Sequence, residues 1–483
     1  MKPGNKKNNQ EGENQRRKFI KNAIALGAFT IVPSHFISGS LSARGNQRPL
    51  PPSDKVNIAC CGIGNRGKDV VNSLYNSGIA NIVAFCDVDM GAPHTLPILE
   101  KFPDVPRFQD FRVMFDKMAK DFDAISVATP DFSHFPITML AMSSGKHVYV
   151  EKPMAESFHE IELMIKAEKK YKVCGQMGNQ GHSEANYFQF KTWTEAGIIR
   201  NVTKITAHMN GTRRWHGMKV SGPLAEQGIP SSLDWDTWLS ASQTRKYNKG
   251  YTGGEWRSWY DMGNGALGDW GAHIIDSAHE FLNLGLPSEV NPIMIEGHSP
   301  FIFPQASTLQ FRFPKRGKLP PVDITWYDGV KNLPPLPEGY GSNVQTADIP
   351  PPSAGTVTQK NLSPGKIIYG EGLTFKGGSH GSTLTIIPES KAKEMESRLP
   401  EVPVSPSNHY KNFLLACKGE EKCRSSFAIA GPLCQVMALG VIAQRLNVPL
   451  VFNRKKKQFK GNKSANELLA GLPPRKGWEE FYK

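Results

Sequence analysis

Residues 61–89 read CGIGNRGKDVVNSLYNSGIANIVAFCDVD, and the context of its three glycines decides the fold. Just upstream, VNIACCGIG is a continuous apolar run that ends on a glycine turn, as a buried parallel strand does. Asp69–Ser77 reads as a helix, and NIVAFCDVD as a second buried strand. Gly62, Gly64 and Gly67 therefore follow a strand and open a helix, the context in which GxGxxG holds a dinucleotide rather than marking an ordinary turn. The first glycine permits the tight turn, the second lets a pyrophosphate approach the backbone, and the third lets helix and strand pack closely. The helix start, with Asn65 and Arg66 in the same loop, offers free N–H groups and the positive end of its dipole. Asp87 ends the second strand, where a carboxylate accepts hydrogen bonds from both adenosine ribose hydroxyls and repels a 2′-phosphate. NAD is favoured on that ground, and NADP stays open because Arg66 is near.

Further along, Phe111–Lys117, His134–Ser143 and Phe158–Lys170 read as helices between the strands FDAISVATP, KHVYVEKP and YKVCGQMGNQ. The alternation predicts an α/β domain over residues 50–178, a doubly wound parallel sheet of Rossmann type, with ligands gathered at the carboxyl ends of its strands. Beyond 178 the pattern changes. NVTKITAHMNG, STLQFRFP, PVDITWYDG and GSTLTIIPE alternate like half-buried antiparallel strands, and Asn408–Lys418 and Phe427–Leu446 read as helices. A second domain is expected over 179–450, with a Pro-, Gly- and Ser-rich surface loop at 332–364 and a basic tail at 451–483.

The chain of 483 residues carries a formal charge of +14, much of it in basic clusters near the two ends. No basic stripe is interleaved with aromatics, so nucleic acid is not an expected partner. Arg16 and Arg17 stand ahead of Lys18 and Phe19, followed by a short apolar run from Ala23 to Val32 and then Pro33. That order resembles a twin-arginine export signal, too short to span a bilayer, and predicts a periplasmic protein with residues 1–45 as signal and linker. The seven cysteines read as small buried hydrophobes. None forms CxxC and none has zinc spacing with histidine, so no metal site is expected; a Cys417–Cys423 disulfide is conceivable on spacing alone.

Two stretches carry the chemistry. VYVEKPM sets Glu151 and Lys152 at the carboxyl end of a strand, before a proline able to adopt a cis peptide. There a lysine whose pKa is lowered by burial can serve a substrate hydroxyl. GNGALGDWGAHIIDSAHEFL spaces Asp269, His273 and Asp276 at i, i+4 and i+7, one helical face, behind a glycine-rich turn. His273 is suited to proton transfer and Asp269 to holding a hydroxyl or orienting a base.

Taken in order, GxGxxG, ATPDFSH (Ala128–His134), EKP and DWGAH resemble the Gfo/Idh/MocA family of glucose–fructose oxidoreductase and inositol dehydrogenase, over about Val56 to Leu450. The resemblance implies a Rossmann domain followed by an α/β domain with a large open, mostly antiparallel sheet that often builds dimers or tetramers. It implies Lys152, Asp269 and His273 as catalytic, Thr129, Pro130 and His134 as the nicotinamide-side loop, and Glu151 and Lys152 beside the cofactor. Asp131 stands where the family usually has Asn. The implied reaction is oxidation of a sugar or polyol CH–OH, with His273 and Lys152 managing the proton and the hydride passing to a tightly held NAD. The alternative is an NAD-dependent glycoside hydrolase that oxidises a ring carbon transiently and returns the hydride. A binding protein that kept the fold without the chemistry is the third reading, set against the presence of all three catalytic residues. For the carbohydrate, Trp215, Trp256, Trp259 and Tyr260 are candidate stacking surfaces, and His182, Arg213, Arg257 and Asp276 candidates for hydroxyls or an acidic group.

Overall fold

The computed structural model describes residues 54–340 and 362–482. The expected export signal and linker lie outside the described residues, as does the stretch 341–361 of the expected surface loop.

The first domain is the expected parallel sheet. Its strands are β1 (Val56–Cys61), β2 (Ala80–Cys86), β3 (Arg107–Phe108), β4 (Ala124–Val127), β5 (His147–Val150) and β6 (Gly175–Met177). They lie in the order β3-β2-β1-β4-β5-β6, all parallel, with the order reversing beside β1. β1 and β4 are buried along almost their whole length, because helices cover both faces and each face needs an apolar residue. The helices begin where local chemistry allows. Ser157 and Glu160 form a reciprocal capping box at the start of Phe158–Tyr171, and Asp110 caps Phe111–Met118 by accepting from the Arg112 amide.

The second domain is built on a nine-stranded sheet. To β7 (Lys204–Met209), β9 (Ala306–Phe313), β10 (Val322–Asp328) and β13 (Thr385–Ile387), all anticipated from alternation, it adds β8 (Glu289–Glu296), β11 (Gly365–Tyr369), β12 (Thr374–Gly378), β14 (Leu450–Asn453) and β15 (Gln458–Phe459). The order is β13-β12-β11-β7-β10-β9-β8-β14-β15, antiparallel throughout except that β7 and β10 run parallel at its centre. The helix Phe427–Leu446 joins the two domains. A Cβ at Gly431 would come 2.4 Å from Ile165 of the first domain, and one at Gly440 would come 2.6 Å from Phe311 of the sheet. Small residues therefore sit at both of its close crossings. It is the one helix among the described residues long and apolar enough to cross a membrane, and 78% of that apolar window is buried inside the protein.

Three readings of the sequence need correcting. Residues 451–483 are not a solvated tail: they supply β15, the helix Lys463–Ala470 and two buried aromatics, Trp478 and Phe481. Trp478 packs against Phe111 and under the Arg112 guanidinium, and the Tyr482 hydroxyl donates to Glu160, so this segment returns to the first domain. Its lysines mask aromatics that are spaced for docking. Asp276 does not continue the helix of Asp269 and His273. That helix ends at Ile274, and a second one runs from Asp276 to Phe281. All seven cysteines are free thiols, so Cys417 and Cys423 are not bridged.

Candidate active site

A cavity of about 740 Å³ runs from the glycine loop, across the carboxyl ends of β1, β2, β4 and β5, to the helix Gly265–Ile274 of the second domain. At its first end the loop is shaped by backbone. Gly62 has φ +74°, and a Cβ there would meet the Ala128 carbonyl oxygen at 2.6 Å; one at Gly67 would meet the Gly62 carbonyl oxygen at 2.0 Å. Gly67 therefore works behind the loop and does not reach the cavity, which Gly62, Gly64, Asn65 and Arg66 line. At Gly64 the near neighbour is the His94 ring, so this glycine keeps the loop open to another side chain as well as to a ligand. The helix Arg66–Asn76 starts without a side-chain cap. Its uncapped N-terminus at the cavity wall fits a pyrophosphate. Asp87 lines the same end, fixed by hydrogen bonds from the amides of Ile63 (2.9 Å) and Asp89 (3.1 Å). Arg66 is engaged elsewhere: its Nε donates to Glu151 at 3.0 Å and its Nη2 to the Tyr410 hydroxyl at 2.7 Å. Thr129, Pro130 and His134 line the middle of the cavity. The His134 ring spans the Pro153 and Thr129 carbonyls at 2.8 Å each and ties the ATPDFSH loop to the EKP turn, whose Lys152–Pro153 peptide is cis.

The other end is a cluster of charges drawn from both domains. Lys152 donates from Nζ to Asp269 Oδ1 at 2.6 Å and to the Asp269 carbonyl at 3.0 Å. The remaining Asp269 oxygen accepts from Arg213, and Arg257 stands 3.3 Å from Oδ1. Burial alone would raise the Asp269 carboxyl, but Arg257, Lys152 and Arg213 hold it well below the usual carboxylate range. Asp269 is thus the counter-ion that fixes Lys152, and its oxygens are already occupied by cations. Burial pulls the Lys152 ammonium below its ordinary value, with Asp269 opposing and Arg257 adding to the fall. Asp131, at the position where Asn is usual, is buried; it accepts from the Asn264 amide and side chain at 3.3 and 3.2 Å and faces Arg257 at 3.5 Å.

His273 lines this end one turn beyond Asp269. Its ring stacks on His380 at 3.9 Å between centroids and 16° between planes, and the His380 amide donates to the His273 carbonyl at 3.2 Å. Burial, then His380, then Lys152 push the His273 imidazole well below its ordinary value, so at neutral pH it is an uncharged proton acceptor. Burial and then Lys152 bring His380 down to about 4.

Several expected substrate residues lie away from the cavity. Trp215, Trp259 and Tyr260 are core residues: the two indoles donate to the Pro304 and Gly250 carbonyls at 2.8 and 3.1 Å, and Tyr260 packs on Phe303. His182 and Asp276 do meet, but in the interior. The His182 ring bridges Asp276 at 2.7 Å and Glu280 at 2.6 Å. Arg213 is buried behind Asp269, whereas Arg257 and Trp256 line the cavity as expected. Sequence reasoning missed His94, Arg214, Trp238 and His380, all of which reach the cavity wall. Trp238 had a legible signal, because it lies in LDWDTWL just after residues that touch the first domain. His380 had none, because a lone histidine in KGGSHGS reads as a turn.

Two family descriptions match the chain: an oxidoreductase family, NAD-binding Rossmann fold, over residues 56–179, and its C-terminal alpha/beta domain over 188–310. Among curated relatives, glycosyl hydrolase family 109 protein 2 of Shewanella sp. (strain ANA-3) is 29% identical over 253 residues, 44% of this chain and 54% of the relative. An alpha-N-acetylgalactosaminidase of Shewanella oneidensis is 27% identical over 184 residues, 34% of this chain and 39% of the relative. The chain thus spans about half the length of the curated relatives it matches, or less. Among solved structures, the WlbA dehydrogenase of Bordetella pertussis, in complex with NADH and UDP-GlcNAcA, superposes with a TM-score of 0.53 at 16% identity, covering 83% of this chain and 99% of that one. The aldose-aldose oxidoreductase of Caulobacter crescentus, complexed with glycerol, gives 0.50 at 16% identity, covering 82% and 100%. At such identities the likeness is one of fold.

Proposed function

Because the chain belongs to the Gfo/Idh/MocA oxidoreductase family, with an NAD-binding Rossmann domain, we propose that it oxidises a carbohydrate or polyol CH–OH, using a cofactor it retains. The observation that carries this reading is that Lys152 of the first domain and His273 of the second line one cavity, clamped through Asp269, at the far end from the glycine loop. The residues fit a dinucleotide. The glycine turn and uncapped helix start suit its pyrophosphate, and Asp87 suits a ribose diol. Asp87, together with the pairing of Arg66 to Glu151 and Tyr410, favours NAD over NADP. Bound NAD⁺ supplies the hydride acceptor, so that the alcohol carbon becomes a carbonyl. His273, neutral in the resting protein, takes the hydroxyl proton, and the Lys152 ammonium donates a hydrogen bond to the oxygen as charge develops on it. Asp269 positions that ammonium instead of touching a sugar hydroxyl.

Retention is supported at the adenosine end. There the second domain folds over the first: the Asp234 amide donates to the Val88 carbonyl at 2.9 Å, Gln109 donates to Ser232 at 2.9 Å, and Asp89 bridges Leu233. The Arg16–Arg17 signal supports export through the twin-arginine route, which carries proteins already folded around a cofactor. The open nine-stranded sheet supports a homodimer or tetramer. Nicotinamide released by denaturing the protein as purified, and NADH formed on a panel of sugars, test the reading; a cofactor-free protein that reduces no NAD⁺ with any sugar would remove it.

The names of the curated relatives favour a second reading, the NAD-dependent glycoside hydrolase. It predicts release of nitrophenol from an aryl α-N-acetylgalactosaminide without added NAD and without net NADH. The oxidoreductase reading predicts NADH and no aglycone.

A further inference from the structure

The segment that closes the adenosine end is held from outside the cavity, by residues near the end of the chain. Its ties to the first domain begin beside Asp87, where the Asp234 amide reaches the Val88 carbonyl and Asp89 bridges Leu233. The fit is close, because a Cβ at Gly91 would come 2.7 Å from Ser232. From there the helix Trp235–Leu239 carries Thr237 and Trp238 to the cavity wall, and Ser240 follows them. Ser240 has φ +50° without being glycine, and its buried hydroxyl has no partner among the described residues. Such a conformation persists only where the surroundings over-determine it.

Arg475 supplies that constraint. Its Nε donates to the Ser240 carbonyl at 2.6 Å, its Nη2 to the Asp236 carbonyl at 2.6 Å and its Nη1 to the Asp236 carboxylate, while its amide donates to the Ala241 carbonyl at 2.9 Å. Only 12% of the Arg475 side chain is exposed. Three residues on, the Trp478 ring meets the Arg475 guanidinium at 5.7 Å and, on the first domain, the Arg112 guanidinium at 4.5 Å and the Phe111 ring at 5.9 Å. Phe111 and Trp238 line the cavity from different domains, and neither Arg475 nor Trp478 lines it. The two residues therefore tie the walls together from behind.

We infer that Arg475 is the latch on the dinucleotide: cofactor exchange requires the segment 230–240 to lift off the first domain, and Arg475 sets how often it does. The inference rests on the reading that the cavity holds a dinucleotide with its adenosine half at Asp87, and it adds the residue that governs retention. Arg475 is a positioning residue, acting through Asp236 and Ser240. A latch favours the closed segment whether or not a ligand lies beneath it. It therefore slows entry and exit alike and leaves their ratio, the affinity, nearly unchanged. A residue that touched the dinucleotide would change release and affinity together.

The test follows NADH by stopped-flow fluorescence, entering the nucleotide-stripped full chain and leaving it on mixing with excess NAD⁺. Arg475→Ala should raise both rates by about tenfold while Kd moves by less than about threefold, and Arg475→Lys should recover part of the slowness. Asp236→Ala, which removes one exposed partner, should raise both rates by a smaller factor, and it decides the matter if Arg475→Ala does not fold. Tyr482→Phe frees the other end of the same segment from Glu160 and should change either rate by less than about twofold. Unchanged rates in Arg475→Ala and Asp236→Ala overturn the inference. So does faster release with unchanged entry, and so does a Tyr482→Phe effect as large as that of Arg475→Ala. If both rates rise as expected and no sugar is oxidised, the latch stands and the oxidoreductase reading falls. A chain that takes up no NADH, native or variant, removes both.

Discussion

The two ends of the cavity are made in different ways. The dinucleotide end is carved by backbone: positive φ at Gly62, the close approach of Gly67 to its own loop, an uncapped helix start, and Asp87 fixed by two amides. All of it lies in one continuous stretch of chain. The carbohydrate end is assembled from side chains on scattered segments. Lys152 follows β5, Arg213 sits in a loop, Arg257 in a single 3-10 turn (Glu255–Ser258), Asp269 and His273 share a helix, and His380 follows β12. The first end is specified by backbone conformation, with Asp87 as its one carboxylate fixed by amides. The second is held by mutual charge, so each member sets the state of the others. Perturbing one residue at the first end should therefore change affinity locally, and perturbing one at the second should change the chemistry.

The largest effect is expected at Lys152. Lys152→Met removes the ammonium and leaves Asp269 with Arg213 and Arg257, so the fold should persist. The rate should fall by about 10²–10⁴, while NADH affinity, read by fluorescence titration, stays near that of the native protein. Because burial lowers Lys152, the native rate should also decline on the alkaline side before the ordinary lysine value of 10.5 is reached. Unchanged turnover in the variant would show that the clamp is structural and take Lys152 out of the chemistry.

Next comes a residue expected at the carbohydrate end that lies outside it. His182 is buried between Asp276 and Glu280. Although burial opposes it, these carboxylates raise the imidazole from 6.5 to about 10. Its folded value exceeds its unfolded one, so its stabilisation is complete below about pH 6.5 and is lost as pH rises through about 10. His182→Leu takes the shared cation from buried Asp276 and half-buried Glu280 and should cost about 3 kcal/mol in urea unfolding at neutral pH. The loss should be largest at mildly acidic to neutral pH, where the carboxylates are ionised and the native imidazole is charged, and shrink towards pH 10. Near-native stability with a raised KM would instead return His182 to the substrate.

At the dinucleotide end, Asp87→Asn keeps a side chain of the same shape and removes the charge. About a tenfold loss of NAD affinity is expected, roughly 1.4 kcal/mol, with the margin over NADP narrowing. A variant that binds both cofactors as before would detach Asp87 from the ribose.

The same contrast governs what the sequence reveals. Gly62, Gly64 and Asp87 were legible because a turn and a strand end are local, and spacing alone encodes them. Asp269 and His273 were legible because a helix puts i and i+4 on one face. Trp215, Trp259 and Tyr260 were misplaced because an aromatic in a loop reads alike whether it stacks on a sugar or fills the core; only the tertiary fold shows that the two indole N–H groups meet carbonyls, that Tyr260 packs on Phe303 and that Trp238 holds the cavity position. β8, β11 and β12 were missed because proline, lysine and glycine break the alternation that the sheet restores by pairing. The last 33 residues were misread because their lysines outnumber the few aromatics that dock them.

The smallest expected change falls on the residue with no sequence signal. His380 stacks on His273, and His273 is lowered first by burial and then by this neighbour. Removing the ring in His380→Ala takes away the second cause and weakens the first, because water can enter where imidazole stood. Both act in one direction: the His273 value rises, so the neutral, proton-accepting form is reached only at higher pH. The acid limb of the rate profile should move upward by less than about one unit, while the plateau rate changes less than tenfold, since His273 itself remains. His380→Asn should restore part of the plateau without restoring the limb. A limb that stays fixed or moves down would mean that the stacked pair does not share its electrostatics, and the carbohydrate end would then look as locally determined as the dinucleotide end.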